Sequence, residues 1–367
     1  MEVFHDISPA DEIALLEPAF EWQSAKYAAG WGAVSVPEQY GGRGLPRTYE
    51  RAFSETEAEF EVPETTETFR VTQGLVVPTL IRHATPELCG EVLPELLGGR
   101  AMVCQLFSEP EAGSDLAALR CTARPDGDGW RIDGQKVWTS GALVSRYGLL
   151  IARTDPSVPK HRGMTAFLVD MDDPGTTIRP IRQMSGGASF NEVFFDNSYV
   201  SDARRIGAPG EGWSVALTTL EFEREVSGDH HAEVGGSVDQ LMRLAQVLRA
   251  TTDALTRQGL IDVHVRSTVL EWTNTRVSQA ARSGANPGAI GSIAKLMWTD
   301  NMRRIGEVAC RLLGPSIIAD DGRWGTYCWS QHVLGAPGYR IAGGSDEIQR
   351  NIIGERVLGL PREPLAR

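Results

Sequence analysis

The chain has 367 residues, 41% hydrophobic and 23% charged, which is ordinary globular composition with room for two or three domains. A formal charge of −12 argues against nucleic acid or an anionic membrane as the main partner. No apolar run approaches the ~18 residues of a membrane span, and Glu2, Asp6, Asp11 and Glu12 beside short apolar pieces do not read as a signal peptide.

Residues 1–103 read as helical. Ile13, Leu15, Leu16 and Phe20 recur at roughly helical spacing behind the Ser8-Pro9 start signal. A Gly/Pro-rich loop runs from Gly30 to Gly44, and helical stretches follow around Tyr49 to Phe60 and Thr68 to His83. Pro86 marks a further helix start and Gly98-Gly99 a stop. From residue 104 to 206 the period changes. The turn Asp126-Gly127-Asp128-Gly129 is a strong hairpin signal, and β-type runs follow at Tyr147 to Arg153, Met164 to Met171, Thr177 to Met184 and Ser189 to Phe195. Their Gly, Pro and Asp separators have the spacing of an antiparallel sheet or barrel. After Gly207 the helical pattern returns through 207–367, with apolar stripes at Leu241, Leu244, Ala245 and Leu248 and at Ile293, Leu296, Met297 and Met302. The expected class is mainly α with a central β domain.

Five scattered cysteines without C-x-x-C spacing read as reduced packing thiols, which points to a cytoplasmic protein. G-x-G-x-x-G, G-x-x-x-x-G-K-[ST] and G-x-S-x-G are all missing, which disfavours a Rossmann dehydrogenase, a P-loop enzyme and an α/β-hydrolase. His230-His231 has no second pair at ligand spacing, so no metal is expected.

Four stretches carry chemistry. Gln105 to Asp115 (Q-L-F-S-E-P-E-A-G-S-D) is a loop able to lay its backbone against a planar polar ligand, with Ser108 and Ser114 as donors and Gly113 permitting close approach or positive φ. Gln135 to Gly141 (Q-K-V-W-T-S-G) offers Trp138, Thr139 and Ser140 as a stacking wall with donors; a core Trp beside a polar turn is the plainer alternative. Gly343-Gly344 before Ser345-Asp346-Glu347 is a loop feeding a helix start, either a phosphate seat or an ordinary cap. Leu220 to Glu225 (L-E-F-E-R-E) places carboxylates near an Arg on a helix, as a general base or as a solvated face.

Taken together, these stretches resemble the acyl-CoA dehydrogenase family over nearly the whole chain: the loop looks like its first signature, Q-K-V-W-T-S like its flavin-wall segment and G-G-S-D-E-I-Q-R like its C-terminal signature. The resemblance implies an N-terminal helical domain, a middle β domain and a C-terminal four-helix bundle, with FAD between them. It puts Gln105, Leu106, Phe107, Ser108, Gly113 and Ser114 along the flavin, Ser114 also near the substrate. It puts Trp138, Thr139 and Ser140 on the flavin ring, and Ser345 and Glu347 on the ADP half. Glu221, Arg224 and Gly344 would lie on the thioester side. The implied partners are an acyl-CoA substrate, an electron-transfer flavoprotein or similar acceptor, and further copies or a related chain in a dimer or tetramer.

Two departures from the family pattern matter. Where many members place the catalytic Glu before the C-terminal signature, this chain has Gly343; some relatives use the first bundle helix, where Glu223 matches, and Glu223 is the expected base. The R-x-x-F-G segment that holds the FAD pyrophosphate across a subunit boundary is replaced by Leu255 to Val263. That feature, with V-L-G-L-P-R-E-P near the end, resembles actinobacterial members acting on steroid side-chain or other bulky acyl-CoAs. The alternatives are a largely structural subunit of a heteromeric dehydrogenase, and a flavin monooxygenase or carrier-protein dehydrogenase on the same fold.

Overall fold

A computed structural model describes residues 9–63, 65–229, 236–282, 289–318 and 328–362. They form two compact units, one spanning Ile7–Gln183 and Gly187–Glu223, the other built on Arg224–Arg367 with Met184–Gly186.

In the first unit the helices are α1 (Pro9–Ala28), α2 (Arg47–Glu57), α3 (Glu67–Arg70), α4 (Val77–His83) and α5 (Pro86–Leu97). A π turn over Val71–Val76 joins α3 to α4 without a break. Thr85 caps α5 by accepting the Leu88 N–H, and Pro86 occupies the first turn, where its missing N–H costs nothing. The strands are β1 (Val103–Leu106), β2 (Thr122–Asp126), β3 (Gly129–Ser140), β4 (Tyr147–Arg153), β5 (Met164–Asp170), β6 (Thr176–Ile181), β7 (Phe190–Ser201) and β8 (Arg205–Ile206).

The expectation of an antiparallel sheet or barrel needs correction. The strand order is β6-β7-β3-β2-β4-β5-β8, and β6 and β8 end the path without pairing to each other, so the sheet does not close. It is also mixed, because β1 runs parallel to β4 (Val103 opposite Tyr147) and β2 meets β4 in parallel at Arg153. Turn residues mark where a chain reverses. They do not say which distant strand it then joins, and the long excursion from β1 to β4 through the β2–β3 hairpin permits a parallel pairing.

β4 and β5 are buried on both faces, which is why they read as unbroken apolar runs. Tyr147, Leu149 and Ile151 of β4, with Met164, Ala166 and Leu168 of β5, face α4 and α5. Leu150, Ala152, Phe167 and Val169 point the other way, into an inner core shared with Cys104, Leu106, Ile132, Val193 and Phe195. Burial raises the thiols of Cys104 and Cys121 to about 12 and about 11, so they are packing groups rather than nucleophiles.

Helix α6 (Gly212–Asp229) starts hard against β5: a Cβ on Gly212 would sit 2.7 Å from the Thr165 nitrogen. Its stripe Gly212, Val215, Ala216 and Thr219 is buried. Thr219 shares a 3.1 Å hydroxyl contact with Thr79, and Thr218 lies 2.8 Å from Nε2 of His83.

The second unit holds α7 (Val238–Val247), α8 (Ala254–Arg282), α9 (Ile290–Leu313), α10 (Cys328–Tyr339) and α11 (Asp346–Ile352). Four of them share one core: Leu241 and Leu244 from α7, Leu260 and Val263 from α8, Met302, Ile305 and Val308 from α9, Trp329 and Ala336 from α10. The expected stripe on α9 is shifted, since Met302 is buried but Ile293, Leu296 and Met297 are half-buried. At the centre of this core sits His332, fully buried. Its Nδ1 accepts the Gly236 N–H at 2.7 Å, so the ring is neutral and Nε2 donates to the Met302 carbonyl at 2.8 Å.

Burial pushes the His332 pKa from 6.5 down to about 4. The unfolded chain therefore binds a proton that the folded chain refuses between those values. Stability is complete above the unfolded pKa and falls as pH drops toward 4, by up to about 3 kcal/mol. Urea unfolding of the wild type should lose stability steeply between neutral pH and pH ~4.5, and His332→Gln should flatten that slope. Equal slopes in the two proteins would show that His332 does not set the pH dependence.

Candidate active site

The loop after β1 is pinned at both ends by groups that periodicity cannot reveal. Leu106 and Phe107 are core residues, so only their backbone remains for a ligand: Leu106 enters the inner core and Phe107 the helix-facing one. The Val137 N–H donates to the Ser108 carbonyl at 2.9 Å, which ties the loop to β3. Residues 109–112 form a tight turn through paired backbone bonds between Glu109 and Ala112. Gly113 does not take positive φ, and a Cβ there would meet nothing within 4 Å, so its conformational freedom is not what the loop needs. Gln105 and Ser108 are half-buried, and Ser114 is exposed beside Asp115, whose carboxylate is held by Lys160 at 2.7 and 2.8 Å.

Beneath the loop lies a buried ion pair. Lys136 Nζ, with no exposed surface, donates to Glu109 at 2.7 Å and to the Phe107 carbonyl at 3.0 Å. Glu109 also accepts the backbone N–H groups of Arg120 (2.6 Å) and Cys121 (3.0 Å). It is therefore a structural carboxylate. Glu111 faces solvent and pairs with Arg120 at 2.7 Å.

Two residues beyond Lys136 the β3–β7 register slips, and the bulge puts Trp138 at φ 61°, a conformation that β-branched and bulky side chains rarely adopt. The ring is 59% exposed, so the core-Trp alternative does not describe it. It stands edge-on to Phe190 at 5.9 Å. Next to it, Thr139 is buried and its Oγ1 has no hydrogen-bond partner among the described residues. Ser140 is half-buried, and Gly141 at φ 63° ends the strand where a Cβ would collide with Thr68. A strained, exposed aromatic face beside an unsatisfied buried hydroxyl fits a flat heteroaromatic group, because the ring would cover the Trp and supply the missing hydrogen bond. On this observation the residues fit the isoalloxazine of FAD.

On α6, Glu223 is half-buried one turn beyond Thr219, on the face that Thr219 turns toward α4. Glu221 is 43% exposed and sits 3.5 Å from Arg82. The side chain of Arg224 lies outside the described residues, as do His230 and His231.

In the second unit, Gly343 and Gly344 take positive φ, and Ser345 caps α11 by accepting the Ile348 N–H at 3.4 Å. The loop carbonyls are engaged internally: Gln349 Nε2 donates to Gly343 and Gly344 at 2.9 and 3.1 Å, and Lys295 to Gly344 at 2.8 Å. The Ser345 hydroxyl is thus engaged as a cap. Asp346 is the buried anchor, accepting from Arg340 at 2.7 Å and from Thr299 at 2.9 Å. Burial alone would raise its carboxyl; those bonds, with the charges of Lys295 and Arg340, hold it below the usual range. Glu347 is exposed and pairs with Arg350 at 3.3 Å.

Among the described residues no group of His, Cys, Asp and Glu is arranged to hold a metal, and no helix is long and apolar enough to cross a membrane. Sequence reasoning assigned no role to Lys136, Asn191 or His332. Lys136 stood inside a quoted motif between Gln135 and Val137, and nothing in that local pattern marked it as buried.

Comparison with known proteins covers the chain almost end to end. Residues 6–100, 104–198 and 210–358 match the N-terminal, middle and C-terminal domain models of acyl-CoA dehydrogenase. The chain is 39% identical over 363 residues to acyl-CoA dehydrogenase IpdE1 of Mycobacterium tuberculosis, covering 97% of this chain and 91% of the relative. Among solved structures, the Tcur3481-Tcur3483 steroid ACAD is similar with a TM-score of 0.78 at 25% identity, over 95% of this chain and 90% of that one. PigA with FAD and proline shares the fold, with a TM-score of 0.72 at 21% identity over 97% and 94% of the two chains.

Proposed function

The chain belongs to the acyl-CoA dehydrogenase family, and from that premise we propose that it desaturates the Cα–Cβ bond of an acyl-CoA thioester, with FAD as cofactor and Glu223 as base. The observation that carries the cofactor assignment is the bulge: Trp138 held open and Thr139 Oγ1 unsatisfied beside it. When bound, FAD supplies the acceptor for the β-hydrogen, which leaves as hydride.

The chain's own part is positioning and proton transfer. Trp138 walls one side of the ring, and the Thr139 hydroxyl donates to its edge. Gln105 and Ser108 line the approach from β1, with Ser114 at the outer end of the loop. Hydrogen bonds to the thioester oxygen acidify the α-proton by stabilising enolate character in the transition state. Glu223 takes that proton, a role supported by its place on the inward face of α6 and by Gly343 standing where many relatives carry the base. Glu221, Arg224 and Gly344 are assigned to the thioester side, and Ser345 and Glu347 to the ADP half; these assignments rest on the motif match alone.

The acyl group is proposed to be bulky, of steroid side-chain type, supported by the steroid ACAD among the similar structures. A flavoprotein carrying electrons onward is the expected acceptor. A second reading, a subunit that works only with a related chain, is supported by Leu255 to Val263 standing in place of R-x-x-F-G and by the paired name of that structural relative. The test is the absorption spectrum of the purified chain, then anaerobic titration with short, long and steroid-type acyl-CoAs. A yellow protein bleached selectively by the bulky thioester is expected. A chain that takes up FAD only when the related chain is added would establish the second reading, and one that never takes it up would end the first.

A further inference from the structure

Opposite the bulge, β7 contributes a residue that no motif pointed to. Asn191 pairs in register with Thr139, and Phe190 with Ser140. Asn191 is 2% exposed and its Nδ2 donates to the Thr139 carbonyl at 3.0 Å. A carbonyl can only accept, so that bond assigns the nitrogen end of the amide to Thr139 and leaves Oδ1 as the remaining acceptor. Oδ1 is itself buried without a hydrogen-bond partner among the described residues, as is Thr139 Oγ1.

Two buried polar atoms without partners on one cross-strand pair are unusual, since a buried polar group left unpaired carries a desolvation penalty. One of them can donate and the other can only accept. We propose that Asn191 is a cofactor-contacting residue, its Oδ1 and the Thr139 hydroxyl together forming an acceptor–donor pair for the edge of a flat heteroaromatic ring, while its Nδ2 holds Thr139 in place. The proposal rests on the reading of the bulge as the FAD site and extends it to the facing strand. Isoalloxazine suits such a pair because its polar edge carries both ring acceptors and an N–H donor. Phe190, edge-on to Trp138, completes the same arrangement: β7 supplies one packing contact to the aromatic wall and one polar contact to the ring.

A structural role and a ligand-facing role have opposite consequences in the flavin-free protein. If the two atoms wait for a ligand, removing the Thr139 hydroxyl relieves an unsatisfied group, so Thr139→Val should unfold no earlier than wild type once flavin is stripped, whereas Asn191→Leu also loses the bond to the Thr139 carbonyl and is read by its FAD affinity. Their FAD dissociation constants should rise about ten-fold each, the loss of one hydrogen bond of roughly 1.4 kcal/mol. The double variant should lose less than the product of the two, because the pair serves one edge. The measurement is FAD rebinding to the stripped full-length chain by quenching of flavin fluorescence, alongside thermal melts without FAD. Lower melting of flavin-free Asn191→Leu with an unchanged FAD dissociation constant would make Asn191 purely structural and overturn the proposal. Wild type that binds no FAD, alone or with the related chain added, would overturn the cofactor reading itself, whereas wild type that binds with both variants unaltered would sink only the role of Asn191.

Discussion

Glu223→Gln is expected to slow anaerobic flavin bleaching by acyl-CoA by about 10²–10⁴-fold, the usual contribution of a positioned general base, while flavin content and visible spectrum stay as in wild type. Gln keeps the length and hydrogen-bonding reach of Glu but cannot take a proton, so an intact spectrum with lost bleaching isolates the proton step. Placement on α6 makes the prediction specific. The helix is fixed by Gly212 against β5 and by the Thr79–Thr219 and His83–Thr218 contacts with α4, and Glu223 follows one turn later on that face. Glu221 occupies a different azimuth, beside Arg82 at 3.5 Å, so Glu221→Gln should move the acyl-CoA concentration dependence more than the limiting rate. Rapid-mixing traces under saturating substrate separate the two. Bleaching by Glu223→Gln at the wild-type rate would place the base elsewhere.

The layout of helical, β and helical segments was legible because it depends on local signals: the period of apolar residues, Pro86 at a helix start, Gly127 in a hairpin. What stayed hidden depends on distant partners. The parallel pairing of β1 with β4 is written in no turn, since Val103 and Tyr147 meet only after the β2–β3 hairpin has left and returned. Trp138 defeats a composition argument for a related reason. Its exposure follows from a bulge between Lys136 and Thr139, and a one-residue slip reverses which face a side chain takes. Glu109 and Lys136 lie far apart in sequence, so nothing local marked them as partners. The Glu109 carboxylate, tempting beside Ser108, proves to be occupied by two backbone N–H groups and a lysine. At the C-terminal signature the sequence supported both a phosphate seat and a cap, and the Ser345 hydroxyl is used as the cap.

That buried pair yields the largest expected stability effect in the first unit. Lys136→Met removes the cation and leaves the Glu109 carboxylate 7% exposed with only two backbone donors. Breaking one side of a buried pair costs about 3–5 kcal/mol, most of it the penalty of an uncompensated charge rather than the worth of the bond. The damage should not stay local. Lys136 also holds the Phe107 carbonyl, and it stands two residues from Trp138, so the loop and the bulge lose their common anchor together. Adding Glu109→Gln should recover much of the loss, because a neutral amide oxygen still accepts the Arg120 and Cys121 N–H groups without needing a counter-charge. Urea unfolding of wild type, Lys136→Met and the double variant tests this directly: the single variant should fall well below both others. A single variant as stable as wild type would mean the carboxylate is solvated or protonated there, and the pair would cease to explain how the loop is held against β3.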